Sequence, residues 1–458
     1  MNLREFAAVL ITTLLFCFDL ESAVLQVGTK GDYRTIGDAI RAANAGDRIH
    51  VSPGIYRERI AIDKPLDLIG QPGSVIDGGG SGTVILVQKG PCEIRGLQVR
   101  GSGESLVSED SGIKVQRANN CKIANNHIED VLFGISVLSA SDSFIQSNHI
   151  NGKDLIAPRR GDGIRIYDSP RTKVEGNVIE RSRDLAIWQS NDVTVRKNIV
   201  RTSRYGLHYM YCDNSLFEDN VFEDNQVGSA IMYSRRMTLR KNRFTGSRGV
   251  GGVGFFVKVG DDILAEHNQI TDNARGIFLE DAPQAVNATC IIRNNLVAAN
   301  DVGISLQPAM ERTVFTENAF VSNRMQVEVM GGVVRPKNFS LAAIGNYWSD
   351  YVGFDENRDG IGDSPYQVEQ FFETMAQRWP ELGLLRMGPA SEALEMAARA
   401  FPLGRPRLVA MDQHPLMRPA AIHGAQESSS PNTSLWLTGI VLLGSCWVAV
   451  KKVRRTAE

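Results

Sequence analysis

Three side chains in the middle of the chain carry ligand chemistry that a bare scaffold would not need: His208, Met210 and Met232. An imidazole and two thioethers are borderline-to-soft donors, a set that selects Cu(I) over the hard cations, which prefer carboxylate and carbonyl oxygen. They lie in two stretches, YGLHYMYCDNSLFEDN from Tyr205 and VGSAIMYSRRMTLRKN from Val227. Laid on one another, these align Gly206 with Gly228, Met210 with Met232 and Tyr211 with Tyr233.

The pair is one step of a longer repeat. Asparagines at 126, 148, 177, 198, 220, 242, 268, 295, 318 and 346 are spaced by 22, 29, 21, 22, 22, 26, 27, 23 and 28 residues. Fourteen residues before the first seven stand Gly112, Gly134, Gly163, Asp184, Gly206, Gly228 and Gly254, six glycines and one aspartate. A period in the twenties marks stacked coils, none of which can bury its apolar face alone. Strict alternation after each column glycine (Ile113/Val115, Ile135/Val137, Ile164/Ile166) marks strands with one buried face. A leucine-rich horseshoe would need an LxxLxLxxN core, which the Ile, Val, Phe and Gly here do not supply. The pattern predicts an all-β right-handed parallel β-helix of about ten or more coils of roughly 22–29 residues. Each asparagine is expected as a buried turn residue bonded to its neighbours along the stack.

That register sends His208 and Met210 outward, with Trp188 below and Met232 and Phe256 above. Lower coils carry Lys114, Ser136 and Arg165 on the same face, so a cluster of Trp, His and Met is informative there. Met232 should stack on Met210 at about 4.8 Å, the spacing of adjacent strands. Two readings follow: a Cu(I) site open enough to hand its ion on, or a docking face in which methionine packs adaptably. Tyr209, Tyr211 and Tyr233 are expected in the core. Arg235 and Arg236, on the turn after Met232, are solvated or face an acidic partner.

Net charge is −2, from 50 basic and 52 acidic residues mixed along 458, so no basic stripe argues for nucleic acid. Six cysteines form no CxxC; Cys92 and Cys121 align on neighbouring coils, as a disulfide or as two buried thiols. Residues 1–23 read as a signal peptide and 24–61 as a capping helix and first strand, the helix burying Ile36, Ala39, Ile40 and Ala43. The solenoid is expected over 62–366. Near its end Asp355, Asn357, Asp359 and Asp363 have calcium-loop spacing without the closing glutamate, since Tyr366 stands there. Residues 367–427 read as a helical and extended docking segment. It holds short helices at 371–379 and 389–401, then an extended run with His414, Pro415, Leu416, Met417 and Arg418 that could face a partner. A linker at 428–434 leads to an apolar span at 435–450 and a basic tail at 451–458, predicting an inner-membrane anchor with the tail in the cytoplasm.

Carbohydrate lyases and epimerases use β-helices too, but need clustered carboxylates with a base. The aspartates Asp213, Asp219 and Asp224 fall in turns, with no outward column combining acid and base, so no enzymatic activity is expected. The third class is a structural adaptor for a membrane partner. The motifs HYMYC and IMYSRR, then GNYWSDY…DGIGDSPY, then AFP…HPLMRP, resemble the NosD family of exported maturation proteins for nitrous oxide reductase, over residues 24–419. The resemblance implies a periplasmic β-helix working with an ABC transporter on assembly of the reductase's copper centre, with a copper chaperone as a further partner. The copper assignment to His208, Met210 and Met232 rests on the register, not on the family.

Overall fold

The computed structural model describes residues 22–249, 251–307, 312–330, 337–370, 375, 379–385, 388–400 and 407–420. The expected leader (1–23), the 371–379 helix and the anchor (435–450) lie wholly or almost wholly outside them. Among the described residues no helix is long and apolar enough to cross a membrane.

The alternating stretches form a right-handed parallel β-helix of about thirteen turns. One column of strands is a thirteen-stranded parallel sheet from Gly54–Tyr56 to Tyr347–Trp348. The other two columns merge into a 23-stranded sheet because Val227–Arg240 and Val253–Glu266 run through the corner between them. Ile113, Ile135, Ile164, Leu185, Leu207 and their partners two residues on are fully buried, as the alternation requires. The helix Ile36–Ala42, capped by Thr35 accepting from the Asp38 amide, buries Ile36, Ala39 and Ile40 over the first strands. It covers a sheet end that would otherwise invite pairing with another chain.

The ten asparagines form one continuous ladder. Each Nδ2 donates to the Oδ1 of the next, as from Asn198 to Asn220 at 3.0 Å and from Asn220 to Asn242 at 2.9 Å. The last, Asn346, ends on the carboxylate of Asp412, which also accepts Trp348 Nε1 at 2.9 Å. Asp412 closes Arg407–Asp412, the central strand of a three-stranded sheet with Lys337–Asn338 and Tyr366–Gln370. Burial pushes its carboxyl above the ordinary value, opposed by the Trp348, Asn346 and His414 donors.

The column glycines are set by backbone contact. A Cβ on Gly206 would lie 2.4 Å from the Gly228 carbonyl oxygen and 2.8 Å from Phe222 Cδ1. Gly206→Ala is therefore expected to cost about 1–3 kcal/mol as overpacking, read as a lower urea midpoint with an unchanged slope.

Candidate functional site

His208 sits on the strand Tyr205–Met210, directly opposite Ala186 on one side and Ala230 on the other. It is more covered than its outward register suggested, only 9% exposed. The rings of Trp188 and Tyr205 meet it edge-on, with centroids at 5.1 and 4.9 Å. Its Nδ1 lies 3.0 Å from Asp184 Oδ2. A carboxylate there requires the proton on Nδ1, which leaves the Nε2 lone pair for a ligand.

Asp184 is the one exception among the seven column positions from Gly112 to Gly254, and the structure explains how it is tolerated. The pairing of its strand with Tyr205–Met210 shifts register between Asp184 and Ala186. Such an irregularity re-aims a side chain, and here the carboxylate is fully buried between His208 and Arg204. Burial pushes the Asp184 carboxyl up, but the bonds from His208 and Arg204 outweigh it and hold it below its ordinary value.

Met210 pairs directly with Met232, and Trp188 with Met210. Both methionines are half-buried. Phe256 lies beyond Ala230 in the His208 column and stacks on Phe278 at 5.0 Å. The structure thus places His208, Met210 and Met232 on one face, within a partly apolar surround.

Below this cluster is a row of charges that the sequence reading missed. Asp162, fully buried, takes two bonds from Arg183, at 2.8 and 3.1 Å. Burial pushes its carboxyl up against that pairing. Arg165 reaches Asp162 and Glu109 and lies over the Trp188 ring at 4.9 Å. The Asp184–His208 pair joins an acid and a base below the surface, outside the outward columns in which none was expected. The two residues are 24 apart in the chain and meet where the strand pairing shifts register.

Tyr209 is buried as expected, but Tyr211 and Tyr233 are not core residues: they are 53% and 40% exposed. Each directly follows its methionine, Met210 or Met232, and turns the corner with φ of 55° and 51°. Val259 continues the column with φ of 51°. Other coils place Arg117, Ser139, Asp168, Gln189 and Asp281 at this left-handed position, which is costly for bulky side chains. The two tyrosines stack at 5.0 Å and line a shallow depression of about 420 Å³ with Asn191, Asp213, Arg235 and Asp261. Arg235 and Arg236, expected to be solvated or to face an acidic partner, are exposed and both pair with Asp213 at 3.0 and 3.2 Å.

The remaining candidates are spent within the chain. In the acidic loop, Asp355 accepts the amides of Asp359 and Gly360, Asp359 that of Ile361 and Asp363 that of Glu356. These bonds close the loop on its own backbone, and among the described residues no group of three or more His, Cys, Asp or Glu is placed to hold a metal. Calcium therefore finds no support, and a copper site must draw on thioethers. His414, Pro415, Leu416 and Met417 bond through their backbones to Gly345, Gly362, Asn346 and Gly360. The backbone of this run, expected as a partner-facing segment, completes the top of the solenoid, while His414, Leu416 and Met417 stay half-buried and Arg418 is exposed. The helix Pro389–Ala400 leaves Leu394 and Met396 exposed.

Residues 146–353 match the family model described as "Periplasmic copper-binding protein (NosD)", and residues 73–185 match the model for a right-handed β-helix region. The chain is similar to two proteins named "Probable ABC transporter binding protein NosD". The one from Pseudomonas aeruginosa is 31% identical over 83% of this chain and 90% of its own length. The one from Stutzerimonas stutzeri is 29% identical over 81% and 87%. Among solved structures, a mannuronan C-5 epimerase A-module from Azotobacter vinelandii is 18% identical with a TM-score of 0.49, over 66% of this chain and 93% of that one. A Streptococcus pneumoniae surface adhesin is 11% identical with a TM-score of 0.47, over 64% and 94%.

Proposed function

The chain belongs to the NosD family, and from that premise we propose that it carries Cu(I) transiently on His208, Met210 and Met232 during assembly of the copper centre of nitrous oxide reductase. The observation that carries this reading is the Asp184–His208 bond at 3.0 Å. A metal-binding histidine characteristically donates its second ring nitrogen to a carboxylate, which fixes the tautomer and raises the basicity of the other nitrogen. Two stacked thioethers on the neighbouring positions supply the soft donors that Cu(I) prefers. With three ligands and no carboxylate among them, the ion stays exchangeable, because an incoming thioether or imidazole can bind before the first ligand leaves. The role is that of an accessory protein rather than an enzyme.

The ABC transporter, the reductase and a copper chaperone are the partners this role requires. Trp188, Phe256, Tyr211, Tyr233, Arg235 and Arg236 surround the ligands and offer aromatic and charged anchors to a copper-carrying partner. Arg418 and the exposed side of Pro389–Ala400 remain for the transporter. The family is described as periplasmic, and residues 435–450 would tether the chain to the inner membrane.

The test is a Cu(I) titration of the full chain against a chelator under reducing conditions, run beside Asp184→Asn. Wild type should bind one equivalent, and the variant should bind about 10–100-fold more weakly, the usual cost of losing the partner that orients a ligand. The lowered Asp184 carboxyl stays charged at neutral pH, and its hold on His208 is lost as pH falls through its folded-state value. A proton also competes with copper for Nε2, so wild-type binding should weaken in acid. Equal affinities for wild type and Asp184→Asn would remove His208 from the site.

A further inference from the structure

Four cysteines lie among the described residues, all buried. Cys212 accepts the Ser190 amide, Cys290 leans on the Gly260 carbonyl, and neither has a cysteine partner. Cys92 and Cys121 differ. They stand directly opposite one another on the third and fourth turns, 29 residues apart, with Sγ atoms at 3.2 Å. Their exposures are 4% and 1%. Adjacent strands lie about 4.8 Å apart, inside the Cα separation of about 4.4–6.8 Å that a disulfide spans. Closing the bond therefore needs a change in side-chain torsion and no shift of the backbone.

We infer that Cys92 and Cys121 are a disulfide site, oxidised in the exported protein by a thiol–disulfide exchange donor, and that the bond staples the third turn to the fourth. The inference does not depend on the copper reading. The Cys121 thiolate attacks the donor disulfide and releases one donor thiolate. Cys92 then loses its proton and attacks the mixed disulfide at Cys121 Sγ, releasing the second. Two protons and two electrons leave the chain, and the donor is reduced to two thiols. The bond from Cys92 holds the Cys121 thiol below its ordinary value, against the effect of burial. Its acceptance by Cys121, with burial, raises Cys92. Because both sulfurs are covered once the coils stack, exchange belongs to the period when the fourth turn is being laid on the third.

The staple has a physical purpose. A solenoid is held by nearest-neighbour contacts and unravels from its ends. These two turns lie just above the capping helix, where fraying would start. An oxidising compartment is where such a bond persists, and the family is described as periplasmic.

The full chain is recovered from the cell envelope, unfolded without reductant in excess alkylating reagent, and digested. Peptides bearing Cys92 and Cys121 should appear joined, lighter by two hydrogens than the reduced pair, and should alkylate only after reduction. Free alkylation of both without reductant overturns the inference. In urea, reductant should lower the wild-type midpoint and leave Cys92→Ala/Cys121→Ala unmoved. A wild-type midpoint indifferent to reductant overturns the staple. The labelling result stands whether or not the double variant folds.

Discussion

Replacing Met210 and Met232 together by leucine should lower Cu(I) affinity by about 100-fold or more, since losing one outer partner of a ligand already costs about 10–100-fold and here two ligands themselves are lost. Leucine keeps nearly the same volume and apolarity, so the fold should change by less than about 1.5 kcal/mol. Both positions are half-buried on the outward face, which makes the packing change smaller still. Docking of a partner on the surrounding aromatic face should survive, because Trp188, Phe256, Tyr211 and Tyr233 are untouched. Chelator competition measures the first quantity, co-purification the second and a urea melt the third. Residual binding through His208 should keep its acid sensitivity. Unchanged Cu(I) affinity with reductase maturation intact would reduce the face to a docking surface.

The fold was legible because a stacked solenoid repeats its own instructions. Every asparagine in the column became a rung of the ladder, and inward positions fell where alternation put them. The upper end was harder. Asp412 terminates the ladder from 66 residues away, and nothing local in DQHPLMRP says that its backbone will complete the last turn. A period reports neighbours one coil apart, not a strand that returns from beyond the repeat.

The site was legible in part for the same reason. Register alone paired Met210 with Met232 and set His208 two residues away on the same face. It failed where the strand stops behaving as a strand. Tyr211 and Tyr233 were assigned inward by extending the alternation past Met210, but the chain turns there into the left-handed region and swings both rings outward. Asp184 carried a usable signal as the single non-glycine among the seven column positions from Gly112 to Gly254. What that aspartate does depends on a register shift, and a shift is invisible to a pattern that assumes constant register.

The ladder also sets the spacing on which the copper ligands depend, so its rungs are functional at one remove. Asn220 occupies the next corner along the coil, after the strand Asp213–Glu218 that follows Met210. Its Oδ1 accepts the backbone amide and the Nδ2 of Asn198, and its Nδ2 donates to the Val195 carbonyl and to Asn242 Oδ1. Asn220→Ala removes all four bonds and leaves the buried Asn198 amide without its acceptor. Each buried group left unpaired costs about 1–3 kcal/mol, and rungs that polarise one another lose more than isolated bonds would. The expected cost is about 3–5 kcal/mol, read as a large fall in the urea midpoint. Asn191→Ala is the control, because exposed Asn191 makes a single bond, to the Asp213 amide; its cost should stay below about 1 kcal/mol, as for most surface changes. Under native conditions the Asn220 variant should also bind Cu(I) more weakly, since the strands bearing Met210 and Met232 are no longer held in register at that corner. A cost no greater than that of Asn191→Ala would mean that the sheet hydrogen bonds and the apolar core hold the turns together without the asparagines.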